Sequence, residues 1–225
     1  MAHDGALSRR PRGVIFDLDG TLADSLEDIA SAMNRTLEAH GFPTHPVSAY
    51  RTFVGEGVRK LAERALPPGT DPVRDAFIAA YQADYAEHLL DATHLFPGIP
   101  EVLDGLQRAG VPVGVLSNKP DAPTRRLVEA LCSRWQFGAV FGERPDVPRK
   151  PDPASALALA DALGAPPESV AFVGDTSVDI LTALAASMRP VGVLWGFRPK
   201  EVLATGAEAA GTGEELARLL GVDGA

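Results

Sequence analysis

The apolar positions of this chain change period along its length. Val14, Ile15 and Phe16 form a continuous run of β-branched and aromatic residues, the pattern of a strand buried on both faces, and Gly20 marks a sharp turn where it stops. From 24 to 40 the residues Leu26, Ile29, Ala30, Met33 and Leu37 recur at helical spacing, and Gly41 supplies the stop. A second helix carries Val58, Leu61, Ala62 and Ala65 on one face until Pro67-Pro68-Gly69 breaks it. Asp71-Pro72, an N-cap followed by proline, opens a third helix through Val73, Phe77, Ala80 and Tyr81 towards Leu89. No strand pattern lies between Thr21 and Leu95. Beyond Phe96-Pro97-Gly98 the period alternates. Helices are expected over 100–109, 123–135, 153–163 and 177–188, and strands over 111–116, 139–141, 169–173 and 191–194, with short helices near 200–204 and 214–220.

Such alternation predicts an α/β fold, a Rossmann-like parallel sheet with helices on both faces. The helical block inserted after the first strand predicts a small all-helical cap domain. The expected boundaries are 13–22 and 95–225 for the α/β core, 23–94 for the cap and 1–12 for a flexible N-terminal tail.

Composition narrows the function classes. The chain has 225 residues, 45% of them hydrophobic, with a net charge of −9. An acidic chain lacks the basic face that non-specific nucleic-acid binding needs, so no nucleic-acid partner is expected. No apolar run approaches the ~18 residues of a membrane helix, so no membrane partner is expected either. Residues 1–12 lack the apolar core of a signal peptide, and their Arg9, Arg10 and Arg12 read as a solvated leader, which together imply a cytoplasmic location. The single Cys132 excludes an internal disulfide and reads as a small buried side chain. His3, His40, His45, His88 and His94 show no helical pair at metal spacing and read as surface or turn residues.

The chemistry gathers where the apolar runs end. Asp17 and Asp19 follow the first strand, at the carboxyl edge where open α/β sheets bind ligands. Two carboxylates this close repel unless a cation lies between them or one keeps a proton. Mg²⁺ would meet the first need, and a protonated second carboxyl would serve general acid/base chemistry. An isolated Asp-x-Asp is common in turns and at helix caps. The apolar run, the acid pair, Gly20 and Thr21 in that order favour function. Three other ends match this one. Ser117-Asn118-Lys119-Pro120 offers a hydroxyl and amides to phosphate oxygens; Pro148-Arg149-Lys150-Pro151-Asp152-Pro153 holds Lys150 in a restrained loop; and Gly174-Asp175 with Asp179 one helical turn on can reach one cation.

Phe16-Asp17-Leu18-Asp19-Gly20-Thr21-Leu22 resembles the first motif of the haloacid dehalogenase superfamily, and the other three segments resemble its remaining motifs in order. The resemblance implies that Asp17 is a nucleophile that becomes aspartyl-phosphate and Asp19 its acid/base partner, on the phosphatase side of the superfamily. It further implies that Ser117, with Asn118, binds phosphate, that Lys150 steadies the nucleophile, and that Asp17, Asp19, Asp175 and Asp179 hold Mg²⁺. Val54-Gly55-Glu56-Gly57-Val58, Leu61 and Arg64, Leu95-Phe96-Pro97-Gly98 and Gly196-Phe197-Arg198 resemble the phosphoglycolate phosphatase family. That likeness implies a small phosphorylated metabolite as substrate, 2-phosphoglycolate first; Gly55 of the cap leaves room beside its leaving group, and Arg59 is a candidate cation for it. Arg51, Lys60 and Lys119 are further candidate cations for an anionic leaving group. Two departures stand out: Ser187 replaces a usual glycine, and the 206–213 stretch lacks an apolar last strand.

Two alternatives remain at this level. One is a sugar-phosphate phosphatase or phosphomutase of the same capped subfamily. The other is a phospho-accepting switch without turnover, as in two-component receivers. Asp19 and the helical insert count against the switch, because an acid/base residue beside the phosphorylated Asp would hydrolyse what a switch must preserve. A monomer or homodimer is expected.

Overall fold

A computed structural model describes residues 10–223. Strand β1 (Gly13–Phe16) and the two-residue β2 (Ala23–Asp24) lead into helices α1 (Leu26–Ala39), α2 (Tyr50–Phe53), α3 (Val58–Ala65) and α4 (Arg74–His88). Then β3 (His94–Leu95) returns the chain to α5 (Ile99–Arg108), β4 (Val113–Pro120), α6 (Asp121–Cys132), β5 (Phe137–Glu143) and α7 (Ala154–Ala162). The chain ends with β6 (Val170–Gly174), α8 (Ser177–Ala185), β7 (Arg189–Val193), α9 (Pro199–Ala204), β8 (Glu208–Ala210) and α10 (Gly213–Leu219).

Six strands form one parallel sheet in the order β5-β4-β1-β6-β7-β8, with β1 at its centre. Phe16 lies in register with Val115 on one side and Val173 on the other. Because side chains alternate along a strand, Val14 and Phe16 pack with Leu103 and Leu127 on one face, while Ile15 packs with Leu159 and Phe172 on the other. Helices cover both faces, which is why β1 reads as an unbroken apolar run. The larger apolar cluster continues into the helical insert through Ile29, Met33, Leu61 and Phe77, so cap and core share packing.

Several details depart from the sequence-based expectation. The chain enters and leaves the helical block through an antiparallel pair, Ala23 opposite Leu95 and Asp24 opposite His94, that is too short to leave a period in the sequence. A last strand does form, as β8 beside β7, but of its three residues only Ala210 is buried, so no apolar run marks it. β4 extends to Pro120 and α6 begins at Asp121, two residues before the expected start, while the Asp71–Val73 segment is a 3₁₀ turn ahead of α4. Ser187 has a φ of 58°, the left-handed conformation that glycine would adopt without strain.

Of the expected 1–12 tail, residues 1–9, including His3 and Arg9, lie outside the described residues. Arg10 is exposed with Nε donating to Gly221 O at 3.0 Å, and Arg12 N donates to Ser169 O at 2.8 Å. No described helix is long and apolar enough to cross a membrane.

Candidate active site

The sheet delivers Asp17 one residue beyond β1, where its backbone N–H still bonds Val173 O at 2.9 Å. The chain then turns tightly: the N–H groups of Thr21, Leu22 and Ala23 all donate to Leu18 O. Gly20 is required here twice over. Its φ is 88°, and a Cβ would lie 2.3 Å from Asp175 Oδ2.

Asp17, Asp175 and Asp179 each place a carboxylate oxygen within 4.8 Å of the others, all three side chains being buried. Lys150 Nζ donates to Asp17 Oδ1 and to Asp179 Oδ1, at 2.7 Å each. Asp179 Oδ2 accepts from Thr176 N and Oγ1 at the start of α8, and Asp175 Oδ2 accepts from Phe197 N at 2.7 Å. Burial pushes the Asp17 carboxyl up to about 7, with Lys150 opposing the rise and Asp179 and Asp19 adding to it. Burial, and then Asp179 and Asp17, hold the Asp175 carboxyl well above its usual range. Burial pulls the Lys150 ammonium down, but Asp17 and Asp179 outweigh it and keep the group above its ordinary value. Three buried carboxylates against one ammonium leave an excess of negative charge among hard oxygen donors, and that donor set fits a divalent cation.

Asp19 lies outside this cluster and belongs to a different neighbourhood. Its Oδ1 accepts from Ser25 Oγ at 2.6 Å, and Lys119 Nζ reaches both carboxylate oxygens at 2.7 and 2.8 Å. Asp19 and Lys119 line a cavity of about 330 Å³ between the sheet edge and the helical cap, together with Asp17, Ser117, Val54 and Tyr85. Lys119 Nζ sits 4.8 Å from the centroid of the Tyr85 ring, which in turn stacks on Tyr81.

The remaining candidates divide. Ser117 is buried at this edge, its Oγ accepting from Lys119 N at 3.2 Å. The Asn118 side chain is committed to backbone. It accepts from Lys150 N at 3.0 Å and donates to Lys150 O and Gly55 O, both at 3.1 Å. It therefore holds the Lys150 loop and ties Gly55 of the cap to the core while lining the cavity beside Ser117. Gly55 lines the cavity. Arg59 does not reach it, because it pairs with Asp75 at 2.8 Å on the exposed side of α3, opposite the buried Leu61, Ala62 and Ala65.

The sequence reading missed Ser25, the Tyr85 platform and Arg198. Arg198 follows β7 and reaches across to the cap, donating to Thr52 O at 3.1 Å and Val54 O at 2.5 Å and pairing with Glu56 at 3.5 Å. Gly196-Phe197-Arg198 drew notice only as a family likeness. No spacing in the sequence links position 198 to 52 or 54.

A parallel sheet whose strand ends bring together a buried acid cluster, a lysine, a serine and a second carboxyl under a helical cap has the groups that phosphoryl-group hydrolysis needs. The family model described as haloacid dehalogenase-like hydrolase matches residues 11–187, and the chain belongs to that family. It is 35% identical over 207 residues to the phosphoglycolate phosphatase of Rhodospirillum rubrum, covering 88% of this chain and 86% of that one. It is also 34% identical over 213 residues to that of Escherichia coli K12, covering 85% and 84%. A solved structure of a phosphoglycolate phosphatase candidate from Lactobacillus delbrueckii subsp. bulgaricus superposes with a TM-score of 0.87 at 30% identity, covering 94% of this chain and 99% of that one. The protein is a phosphoric monoester hydrolase, and the curated relatives named here are phosphoglycolate phosphatases.

Proposed function

We propose that this enzyme hydrolyses 2-phosphoglycolate to glycolate and phosphate through an aspartyl-phosphate on Asp17, in a Mg²⁺-dependent reaction in the cytoplasm. The observation that supports this most is the separation of the two carboxyls. Asp17 pairs with Lys150 inside the acid cluster, whereas Asp19 pairs with Ser25 and Lys119, and both carboxyls line the cavity.

An oxygen of Asp17 attacks phosphorus in line with the ester oxygen, forming the acyl-phosphate as the P–O ester bond breaks. Asp19 gives its proton to the departing alkoxide, then takes one from the water that hydrolyses the acyl-phosphate. Lys150 neutralises Asp17 and meets charge on the phosphoryl oxygens, and Ser117 donates its hydroxyl to one of them. Asp17, Asp175 and the Asp19 carbonyl would hold Mg²⁺, with Asp179 beside them. When bound, the ion supplies Lewis-acid stabilisation of the phosphoryl charge worth several kcal/mol. The cap, taken as 23–94 over a core of 13–22 and 95–225, excludes water from this step.

The test is a substrate panel of 2-phosphoglycolate, hexose phosphates, nucleotides and pyrophosphate, scored by kcat/KM for phosphate release. Phosphoglycolate is expected to lead. A hexose phosphate ahead by about tenfold, or ~1.4 kcal/mol in transition-state binding, overturns the substrate assignment and leaves the phosphatase chemistry standing.

A further inference from the structure

Of the cations that the sequence offered for an anionic leaving group, the structure spends three elsewhere. Arg51 donates to Gly196 O, Arg59 pairs with Asp75, and Lys60 pairs with Glu63. Among the described residues, the cavity is lined by two cationic side chains, Lys119 and Arg126. Arg126 is exposed and donates to Ala86 O at 2.7 Å. Lys119 is buried, with its ammonium held over the Tyr85 ring, a position that cation–π attraction favours.

An ammonium carries three N–H donors, and Lys119 directs its contacts at both oxygens of Asp19. Asp19 is the group that meets the ester oxygen. In a phosphate ester of a 2-hydroxycarboxylate the carboxylate carbon stands two bonds from that ester oxygen. A cation in contact with Asp19 is therefore within reach of the carboxylate in the same pose. An ester with a neutral alkyl group would leave Lys119 paired with Asp19 alone and make no use of the ammonium's remaining donor. The walls at Ile29, Val54, Val58 and Leu61 are apolar, and Gln82 and Tyr81 add polar side chains that carry no charge.

We propose that Lys119, fixed by the Tyr85 ring, is the receptor for the leaving-group carboxylate, which makes phosphate esters of 2-hydroxycarboxylates the substrate class of this site. The proposal rests on the phosphatase reading above and names the residue responsible for its selectivity.

The experiment measures kcat/KM for 2-phosphoglycolate and for ethyl phosphate, which differ only in carboxylate against methyl, and takes their ratio. Wild type is expected to show a ratio of about 100 or more, since the neutral ester forgoes a charge-assisted contact to a buried ammonium. Lys119→Met, which also disturbs Asp19, lowers both rates but cuts the ratio by ~30-fold or more. Tyr85→Phe keeps the ring and the ratio, and Tyr85→Leu loses about fivefold of it. A ratio that Lys119→Met leaves within about threefold of wild type means that Lys119 serves only Asp19, and overturns this proposal while the substrate reading stands. A wild-type ratio near one overturns both. If Lys119→Met fails to fold, Tyr85→Leu decides in the same way, with an unchanged ratio counting against the proposal.

Discussion

The Lys150 ammonium stands 2.7 Å from Asp17 Oδ1, and the same nitrogen is 2.7 Å from Asp179 Oδ1, so one cation serves two carboxylates inside the protein. Breaking a buried pair by deleting one partner leaves uncompensated charge, which costs about 3–5 kcal/mol. Lys150→Met is therefore expected to lower the melting temperature by ~2–4 °C for each kcal/mol lost and to abolish turnover. Asp17→Asn removes one negative charge from the cluster and keeps its shape. It should melt no lower than wild type yet show no measurable phosphate release. Near wild-type activity in that variant would contradict the assignment of Asp17 as nucleophile.

The raised Asp17 carboxyl gives a pH dependence with a definite sign. The folded protein holds this proton up to about 7, against an ordinary value of 3.8, so between those values the native state binds more protons than the unfolded chain. The group's contribution to stability is greatest in acid and declines as pH rises through that window. Chelator-treated protein should thus lose stability from this site between pH 4 and 7. A divalent cation offsets the ionised cluster and should raise the melting temperature more at pH 8 than at pH 5. Melting curves with EDTA or Mg²⁺ at several pH values check this; equal stabilisation by Mg²⁺ at both ends would contradict it. Ca²⁺, with looser and higher coordination, should bind and stabilise yet inhibit turnover.

What the sequence reveals and what it hides follow from the range of the interactions involved. β1 and β6 are buried on both faces, so their apolar runs and the acids at their ends are legible without a structure. The helical insert shows through the spacing of Leu26, Ile29, Met33 and Leu37, each of which packs inward. By contrast, β8 buries one residue and the β2–β3 pair holds two residues a side, too little for a period to register. Arg59 is a candidate in the sequence because an anionic leaving group needs a cation. Its place on α3, opposite the buried face, takes it to solvent. Asn118, Ser25 and Arg198 owe their parts to contacts between distant segments, to which local pattern is blind.

Ser25 should act on the chemical step alone. Its hydroxyl donates to Asp19 Oδ1 at 2.6 Å and orients the carboxyl towards the cavity. Ser25→Ala removes a hydrogen bond to a charged group, worth about 1.5–3 kcal/mol. A fall in kcat of ~10–100-fold with KM little changed is expected. A rise in KM at constant kcat would mean that Ser25 contributes to binding instead.

Arg198 joins the two halves of the molecule at the loop that roofs the cavity. From the core side it donates to Arg51 O, Thr52 O and Val54 O and pairs with Glu56, while Arg64 of the cap holds the Glu56 carboxyl below its usual range by donating to the same oxygen. Arg149 adds a weaker bond to Glu56 O at 3.3 Å. The roof thus hangs on backbone carbonyls that one guanidinium gathers, a task for which the planar five-donor fork of arginine is suited and lysine is not. Arg198→Lys and Arg198→Ala should both loosen 51–56 and raise KM for the phosphate ester by about tenfold, because closure over the substrate now has to be paid from binding. The chemical groups below are untouched, so kcat should fall by less than ~3-fold. Cleavage by a protease after Arg51 should quicken in both variants, and excess substrate should slow it again. If Arg198→Ala lowered only the melting temperature, with KM and proteolysis unchanged, the latch would be a packing contact without influence on the site.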